Sequence, residues 1–489
     1  MITAGLDFGT QSVKLLVYDS GDRKEIASSS YPFELISHSD GSREQLAEWW
    51  IEGLRKCFEA IPVDIRKRIR GIGVSGQQHG FVPLSADGSV LAPVKLWCDT
   101  STAAECAELT ELYGGRDKLI DCVGNAILPG YTASKIYAFK KRSPELFEKM
   151  AYVLLPHDYI NYYLTGVISM ERGDASGTAL YDIYRNRWDE RLCSIISPDL
   201  IDKLPEVSDS KCISGYVKDD VAEELGLSSG VAVSAGGGDN MMSAIGTGTV
   251  REGRITMSLG TSGTLFAYSD TPVTDKKCRL AGFASSTGGY LPLLCTMNCT
   301  VASELMRGLF ELPVKDFDEL ASASGIGAEG LVLLPFFNGE RVPNYPKGEG
   351  VLAGMNIRNV TKANIARAAL EGVSYEFLLG LEAFDESGFR ASEISLTGGG
   401  AKSRIWKEII SDLTGLKVRV PLVKEAAAFG AVLQVLAVLE NKDIADVADE
   451  HIGFDDEKET SPVAERRDEY RKAYMKWKRY SDALGGLYE

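Results

Sequence analysis

The fold is decided by the stretch Ala4-Gly-Leu-Asp-Phe-Gly-Thr-Gln-Ser-Val-Lys-Leu-Leu-Val-Tyr18, which combines an apolar strand, a Gly-Thr turn and a second β-prone strand. A similar stretch, Thr256-Met-Ser-Leu-Gly-Thr-Ser-Gly-Thr-Leu-Phe-Ala-Tyr268, follows half a chain later. Matching Gly9 with Gly260 also matches the two threonines that follow them. An internal repeat at this separation predicts two domains of related fold.

The two copies of the repeat differ at one chemically informative position, where Asp7 of the first corresponds to Ser258 of the second. The backbone N–H groups and the hydroxyl of a Gly-Thr turn can bind phosphate, so both turns are candidate phosphate sites. Only the first half adds a carboxylate. This asymmetry predicts a single metal ion held mainly by Asp7, and Mg²⁺ suits such a site because it keeps several waters and takes few carboxylates.

The rest of the chain alternates short apolar strands with longer helical patterns, which predicts α/β layers. An Ala-rich helix is predicted over 424–439 with an interruption at Gly430, and a charged terminal helix over 466–484. A glycine-rich break at 246–253 predicts the boundary between domains 1–247 and 248–489. Other strands are predicted at 70–75, 152–156 and 391–397, and other helices at 362–382 and 403–414.

Composition and charge narrow the class of protein. The chain has 489 residues, enough for two cores, and its net charge of −16 disfavours nucleic acid or an anionic membrane as the main partner. Nine cysteines without a CxxC pair favour reduced thiols over disulfides or zinc. We expect no signal peptide and no transmembrane helix, because neither apolar pattern occurs. These features predict a cytoplasmic protein.

The stretch Ala235-Gly-Gly-Gly-Asp-Asn240 is the strongest candidate for a catalytic site. Three glycines would let a ligand approach the backbone, and Asp239 would stand at the start of a helix. We interpret Asp239 as a general base that takes the proton of an attacking hydroxyl, and as a second carboxylate near the metal. The simpler interpretation, an aspartate that caps the helix, leaves the glycine triplet unexplained.

Polar side chains follow the strand that ends near Ser75, in the sequence Gly76-Gln-Gln-His-Gly80. Gln78, His79 and Asn240 offer donors and acceptors that suit sugar hydroxyls, and ligands of α/β sheets usually bind where strands end. The alternative is a polar loop with a surface histidine. Trp97-Cys-Asp99 either adds an apolar wall and a carboxylate to this site or is structural.

A second glycine loop, Thr397-Gly-Gly-Gly-Ala401, precedes a helix and is a candidate for backbone contact with a nucleotide. A tight strand-to-helix turn explains it equally simply. The chain contains no GxxxxGK[ST] motif, and no GxGxxG follows the first strand. The sequence therefore supports neither a P-loop nor a Rossmann dinucleotide site.

In this order, the motifs resemble the FGGY family of carbohydrate kinases over essentially the whole chain. The segment 350–371 matches the family's C-terminal signature at each defined position, and Pro129-Gly-Tyr-Thr-Ala-Ser-Lys135 is similar to part of its first signature, although Ala138 stands where a tryptophan is expected. The resemblance implies two ribonuclease-H-like domains of the actin and hexokinase type flanking a central cleft. It also implies phosphorylation of a ketopentose, expected to be D-xylulose, by Mg²⁺ and ATP.

The resemblance also implies roles for individual residues, and a homodimer is a further expectation from the family. Asp239 would be the base, and Asp7 and Asp239 would hold the metal. The remaining assignments are Gln78, His79, Asp239 and Asn240 for the sugar, Gly9, Thr10, Gly260 and Thr261 for the phosphates, and Gly399, Gly400, Ala401 and Arg404 for the nucleotide. Some relatives have asparagine in place of Arg404.

Three alternatives stay open at the level of sequence. The first is an FGGY kinase for ribulose, another ketose, a polyol or gluconate. The second is an actin- or chaperone-like ATPase that switches a protein partner and would turn over ATP without sugar. The third is an inactive sugar-binding regulator, which would have no use for Asp7 and Asp239.

Overall fold

In the computed structural model, which describes residues 1–488, both copies of the sequence repeat form hairpins. The first hairpin pairs Ile2–Phe8 with Ser12–Asp19, and the second pairs Arg254–Leu259 with Gly263–Ala267, in both cases antiparallel. The first turn is closed by the Gly9 amide, which donates to the Ser12 carbonyl at 3.0 Å. The predicted strand–turn–strand repeat is therefore present in the structure.

The described residues form 24 strands and 19 α-helices. The strands, numbered β1 to β24 in chain order, are Ile2–Phe8, Ser12–Asp19, Lys24–Pro32, Ile36–Ser37, Arg43–Gln45, Ile69–Gly76, Val82–Ser85, Val94–Lys95, Met150–Leu154, Met170–Glu171, Tyr181–Asp182, Arg187–Trp188, Val207–Ser208, Ile213–Tyr216, Ala232–Ser234, Gly237–Gly238, Arg254–Leu259, Gly263–Ala267, Ala281–Ala284, Tyr290–Thr296, Val332–Pro335, Gly350–Ala353, Glu393–Thr397 and Lys417–Arg419.

The helices, numbered α1 to α19, are Ala47–Glu59, Val63–Arg66, Ala103–Tyr113, Arg116–Val123, Thr132–Arg142, Pro144–Lys149, Pro156–Thr165, Arg172–Ser176, Glu190–Ile196, Leu200–Lys203, Asp219–Leu225, Asp239–Gly246, Thr300–Leu309, Val314–Ser322, Lys362–Glu386, Arg404–Thr414, Ala426–Glu440, Ile444–His451 and Arg467–Gly485. None of these helices is both long and apolar enough to cross a membrane.

By packing, the chain forms two compact units. The first comprises Met1–Arg251, Tyr268–Pro292 and Glu425–Ile452, and the second comprises the remaining described residues. Helices α17 and α18 therefore pack with the first unit although they lie near the end of the sequence. The division into functional domains at residues 247 and 248 stays a prediction.

Each unit is built on a mixed sheet with the same strand order. In the first unit the order is β3-β2-β1-β6-β15, and in the second it is β20-β18-β17-β23-β24. In each sheet, three strands are antiparallel to their neighbours, and the two strands that follow run parallel to the central strand, which is β1 in the first unit and β17 in the second. This shared order is the structural counterpart of the internal repeat, and it bears out the expectation of two related α/β domains.

Helix α17 packs against β1, β6 and α12 with unusually little space between backbones. A Cβ atom on Gly5 would lie 1.9 Å from the Ala428 carbonyl oxygen, and one on Gly73 would lie 2.0 Å from that of Ala431. A Cβ on Gly430 would lie 1.8 Å from the Met242 carbonyl oxygen in α12. The predicted interruption at Gly430 is wrong, because the helix continues through it and the glycine admits a neighbouring helix.

Candidate active site

Two carboxylates of the first unit come together because their strands are neighbours. Asp7 on β1 is paired in register with Ser75 on β6, and the Ser75 hydroxyl donates to Asp7 Oδ1 at 2.8 Å. The short strand β16 also pairs with β6, at Ser75 and Gly76, and the next residue after β16 is Asp239. The sheet thus places Asp7 and Asp239 on either side of the same strand end.

Asp239 is the first residue of α12, as the sequence predicts, and it is held by its neighbour. Its Oδ1 accepts hydrogen bonds from the Asn240 backbone amide at 2.8 Å and from Asn240 Nδ2 at 3.1 Å. Asn240 Nδ2 also donates to Gln78 Oε1 at 2.8 Å. Three of the four residues assigned to the sugar are therefore joined in one hydrogen-bonded chain.

The electrostatic surroundings of Asp239 suit a group that exchanges a proton near neutral pH. Burial, together with the charges of Asp7 and Asp174, raises the pKa of Asp239 to about 7, although the Asn240 hydrogen bonds lower it. Carboxyl groups with pKa values near the working pH are effective general bases.

Asp7 also resists ionisation. Burial raises the pKa of Asp7, while the Ser75 hydrogen bond and the Lys14 charge lower it. Lys14 itself forms an ion pair with Glu425, with 2.5 Å between nitrogen and oxygen. The charge of Asp7 also raises the pKa of Asp239. A cation bound by these two carboxylates would stabilise their charged forms, and oxygen ligands of this kind are the ones that Mg²⁺ prefers.

The side chains of the described residues do not by themselves form a complete metal-binding site. Within residues 1–488, no group of three or more His, Cys, Asp or Glu side chains could hold a metal ion. Mg²⁺ in nucleotide enzymes is commonly bound by one or two carboxylates, by water and by the substrate phosphates. The Asp7 and Asp239 carboxylates fit that mode of binding.

The turn after β1 is braced by residues that sequence reasoning did not assign to it. The Thr10 hydroxyl donates to Gln77 Oε1 at 3.1 Å and accepts from Trp97 Nε1 at 2.9 Å. The Thr10 carbonyl accepts from Gln45 Nε2 at 2.8 Å. Trp97 therefore fixes the candidate phosphate-binding threonine, rather than acting only as an apolar wall.

Asp99, its neighbour in the motif, is fully buried and serves a structural network. Its carboxylate forms an ion pair with Lys95 at 2.9 Å and accepts hydrogen bonds from Ser42, Arg43 and Ser101. Burial opposes its ionisation, but the Ser101 and Lys95 interactions outweigh burial and lower the pKa of Asp99. Of the two interpretations of this motif, the structure supports the structural one for Asp99.

The glycine triplet before Asp239 has a structural cause that the sequence did not reveal. A Cβ on Gly237 would lie 2.6 Å from Ser286 Oγ, and one on Gly238 would lie 2.6 Å from Gln78 Cγ and 3.0 Å from Asp174 Oδ1. Gly236 has a φ of +74°, which a side chain rarely adopts. The loop needs glycine because it packs tightly on its own protein, whether or not a ligand approaches it.

Beneath this loop lies a buried ion-pair cluster. His157 Nδ1 lies 2.8 Å from Asp174 Oδ2, and His157 Nε2 lies 2.9 Å from Asp158 Oδ1. Burial disfavours the charged imidazole, but the two carboxylates outweigh burial and raise the pKa of His157 well above its usual value. The cluster keeps a negative charge close to Asp239, and no motif in the sequence brings these residues together.

In the second unit, the two candidate nucleotide loops are neighbours. Strands β17 and β23 run parallel, with Ser258 opposite Thr397. Gly398 packs so closely on Leu259 that a Cβ there would lie 2.5 Å from the Leu259 carbonyl oxygen. The loop containing Gly399, Gly400 and Ala401 therefore stands beside the turn containing Gly260 and Thr261, which is also anchored by the amides of Cys299 and Thr300.

An open pocket of about 700 Å³ lies in the second unit next to the Gly399–Lys402 turn. Its wall includes Lys402 and Arg404 on one side and Arg367 and Tyr470 on another. The Arg404 side chain is 89% exposed and bonds to Glu408 at 2.8 Å. The lining is mixed in charge, because Asp318, Glu319 and Glu408 lie there together with Lys315, Lys402 and Arg404.

Comparison with known proteins defines the class. Over 100% of both chains, the structure superposes on a xylulose kinase from Brucella ovis with a TM-score of 0.93 at 27% identity. It also superposes on 99% of a gluconate kinase from Lactobacillus acidophilus with a TM-score of 0.92, where 21% identity shows the fold alone. The molecule is a sugar kinase of the two-domain α/β type.

The family follows from the sequence profile. The N-terminal domain of the FGGY family of carbohydrate kinases matches residues 2–246, and the C-terminal domain of that family matches residues 255–438. A xylulose kinase from Haemophilus influenzae is 38% identical over 99% of both chains. This chain belongs to the FGGY family of carbohydrate kinases, so its substrates are a sugar and ATP.

Proposed function

We propose that this kinase transfers the γ-phosphoryl group of ATP to D-xylulose and forms D-xylulose 5-phosphate. This chain is similar along its whole length to a relative named xylulose kinase, and that similarity supports the choice of sugar. Fold does not discriminate between substrates, because a gluconate kinase shares it. The observation that carries the chemistry is Asp239, a carboxyl with a pKa of about 7 that is hydrogen-bonded to Asn240.

In this proposal, Asp239 accepts the proton of the sugar hydroxyl that attacks the phosphorus, while Gln78, His79 and Asn240 bind other sugar hydroxyls. Mg²⁺ at Asp7 and Asp239 would neutralise phosphate charge when it is bound. Gly9, Thr10, Gly260 and Thr261 would bind phosphates through backbone N–H and hydroxyl groups. Gly399, Gly400, Ala401 and the edge residue Arg404 would contact the rest of the nucleotide.

The test of the substrate is a coupled ADP-release assay with MgATP and a panel of D-xylulose, L-xylulose, D-ribulose, L-ribulose, glycerol, gluconate and no sugar. Release with D-xylulose well above all others is the expected result. Preference for another sugar would replace the substrate and keep the kinase chemistry. Equal release with and without every sugar would favour a switch ATPase and would remove Gln78, His79 and Asn240 from the sugar site.

The role of Asp239 is tested by Asp239→Ala and by the isosteric Asp239→Asn. Loss of a general base costs about 10²- to 10⁴-fold in rate, so both variants should lose turnover by that order. ATP binding, measured by calorimetry without sugar, should stay close to that of the wild type. Near-normal turnover in either variant would contradict the assignment. Removal of metal by EDTA should abolish turnover, and added Mg²⁺ should restore it.

We also propose that the kinase acts in the cytoplasm as a homodimer. All nine cysteines are free thiols in the structure, which suits a reducing compartment. Sedimentation at micromolar concentration and fractionation of cells that express the protein test the two statements separately. A monomer by sedimentation would remove the dimer and leave the catalytic proposal intact.

A further inference from the structure

Lys135 on helix α5 is a fully buried lysine, with 0% of its surface exposed. Its ammonium donates to the His79 carbonyl at 2.7 Å and to the Gly130 carbonyl at 2.8 Å. Taking an ammonium out of water costs several kcal/mol, so a buried lysine is expected to make interactions that offset this cost. Burial accordingly lowers the pKa of Lys135 to about 7, although the charge of Asp99 opposes this.

The first carbonyl that Lys135 holds belongs to a residue with an unusual backbone. His79 has a φ of +63°, a left-handed conformation that is unfavourable for a residue with a side chain. Its carbonyl also accepts a hydrogen bond from the Thr132 hydroxyl at 3.1 Å. Two donors from one helix end, Thr132 and Lys135, therefore fix the His79 peptide in a conformation that it would not adopt alone.

This backbone conformation determines where the His79 ring lies. The ring centroid is 4.6 Å from that of Tyr131 and 5.6 Å from that of Phe283. Relaxation of the peptide to an ordinary φ would swing the ring out of this arrangement. It would also disturb Gln78, the preceding residue, which bonds to Asn240.

The second carbonyl that Lys135 holds supports another part of the site. Gly130 packs so closely on Trp97 that a Cβ there would lie 2.5 Å from the Trp97 carbonyl oxygen. Trp97 in turn donates to the Thr10 hydroxyl. The Gly130 contact reaches only the Trp97 carbonyl, whereas the Trp97 ring holds Thr10, so Lys135 supports the His79 loop directly and Thr10 only indirectly.

We propose that Lys135 is a positioning residue for sugar binding, which acts by holding the His79 carbonyl and with it the loop that carries Gln78 and His79. The inference rests on the proposed role of these two residues in binding the sugar. Lys135 does not touch substrate, because its side chain is enclosed by protein. A neutral amine keeps two N–H groups, so both carbonyls remain satisfied whether or not Lys135 is charged.

The test compares Lys135→Met with a matched lysine of the same helix. Lys140 Nζ also donates to a backbone carbonyl, that of Ile196 at 2.6 Å, but far along the helix from His79. Lys135→Met should raise the KM for sugar about 10- to 100-fold, the value of one or two charged hydrogen bonds, and change the KM for ATP less than about 3-fold. Lys140→Met should leave both KM values unchanged.

A double-mutant cycle shows whether Lys135 acts through His79. In a His79→Ala background, Lys135→Met should raise the sugar KM by less than about 3-fold more, because the ring it positions is gone. Additive effects would overturn the inference, and so would equal rises in the KM for sugar and for ATP. A loss of stability with unchanged sugar KM would show a role in folding alone and would overturn it too.

If Lys135→Met does not fold, Thr132 gives the same test with a smaller change. Thr132→Val removes one donor to the His79 carbonyl and should raise the sugar KM about 3- to 10-fold, whereas Thr132→Ser keeps the hydroxyl and should restore it. Equal sugar KM values for these two variants would overturn the inference. A wild type that phosphorylates no sugar would overturn both proposals, whereas sugar turnover with unaffected variants would overturn only the role of Lys135.

Discussion

The substitution Gly430→Ala tests the close packing between helix α17 and helix α12, which begins at the candidate base Asp239. Gly430 lies in the first turns of α17, against the carbonyl of Met242 in α12, and α12 begins with Asp239. In an isolated helix this substitution stabilises, because alanine is favoured over glycine by up to about 1 kcal/mol. In this protein we expect the same substitution to lower the free energy of unfolding.

The magnitude follows from the distance. The new Cβ would lie 1.8 Å from the Met242 oxygen, and real Cβ contacts are essentially never shorter than 3.0 Å, so the helices must separate by about 1.2 Å. Overpacking of this kind costs about 1–3 kcal/mol or more and exceeds the gain in helix propensity. A displacement of about 1 Å at a catalytic group lowers turnover by as much as about 100-fold.

The assay is thermal unfolding combined with steady-state kinetics, and Gly308→Ala is the matched control. Gly308 is also helical, in α13, but a Cβ there would meet nothing within 4 Å. Gly430→Ala should lower Tm by several degrees and reduce kcat, whereas Gly308→Ala should raise Tm slightly and leave kcat unchanged. If Gly430→Ala is as stable and as active as Gly308→Ala, the packing argument fails.

Four further predictions follow from the site. Because the pKa of Asp239 is raised to about 7, kcat/KM should rise with pH through about 7 and then level off. The pKa of an aspartate in the unfolded chain is about 3.9, so between pH 3.9 and 7 the folded state binds one more proton at Asp239 than the unfolded state, and the free energy of unfolding falls as pH rises. The Tm of Asp239→Asn should therefore exceed that of the wild type at pH 8 and equal it near pH 4. A difference in Tm that does not change with pH would contradict this prediction. Trp97→Phe removes the 2.9 Å bond to Thr10 and should raise the KM for ATP about 3- to 10-fold, whereas a rise in sugar KM alone would assign Trp97 to the sugar. Arg404→Ala should raise the KM for ATP only about 2- to 3-fold, because a nucleotide contact made by a side chain that is 89% exposed is screened by water; an unchanged KM would remove Arg404 from the nucleotide site.

Much of the fold was predictable because it depends on local pattern. The two hairpins, the helix at Arg404–Thr414 and the helix start at Asp239 all lie where periodicity and turn residues place them. The strand predicted at 152–156 is shifted to Met150–Leu154, because Pro156 begins the next helix. Proline is favoured at the first helical position, and that signal was already present in the sequence.

Errors and omissions share one cause, which is packing between distant segments. Gly430 was expected to interrupt a helix, yet it is required by a carbonyl nearly 190 residues earlier in the chain. The glycines before Asp239 were explained by a ligand, whereas side chains from several other segments, among them His157, Ser286 and Gln78, already fill the space beside them. Lys135 belongs to a family signature in the sequence, but only the structure shows that it is buried and donates to the His79 carbonyl.

The duplicated hairpin, the α/β class, the carboxylates and the glycine loops can be recognised in the amino-acid sequence alone, and its long motifs identify the family. Those features are encoded within short windows, where backbone preference and residue chemistry act alone. Only the tertiary structure decided the pKa of Asp239, the connection of Trp97 to Thr10 and the support of His79 by Lys135. These depend on burial and on distances between residues remote in the chain, and both exist only after the sheet has brought its strand ends together.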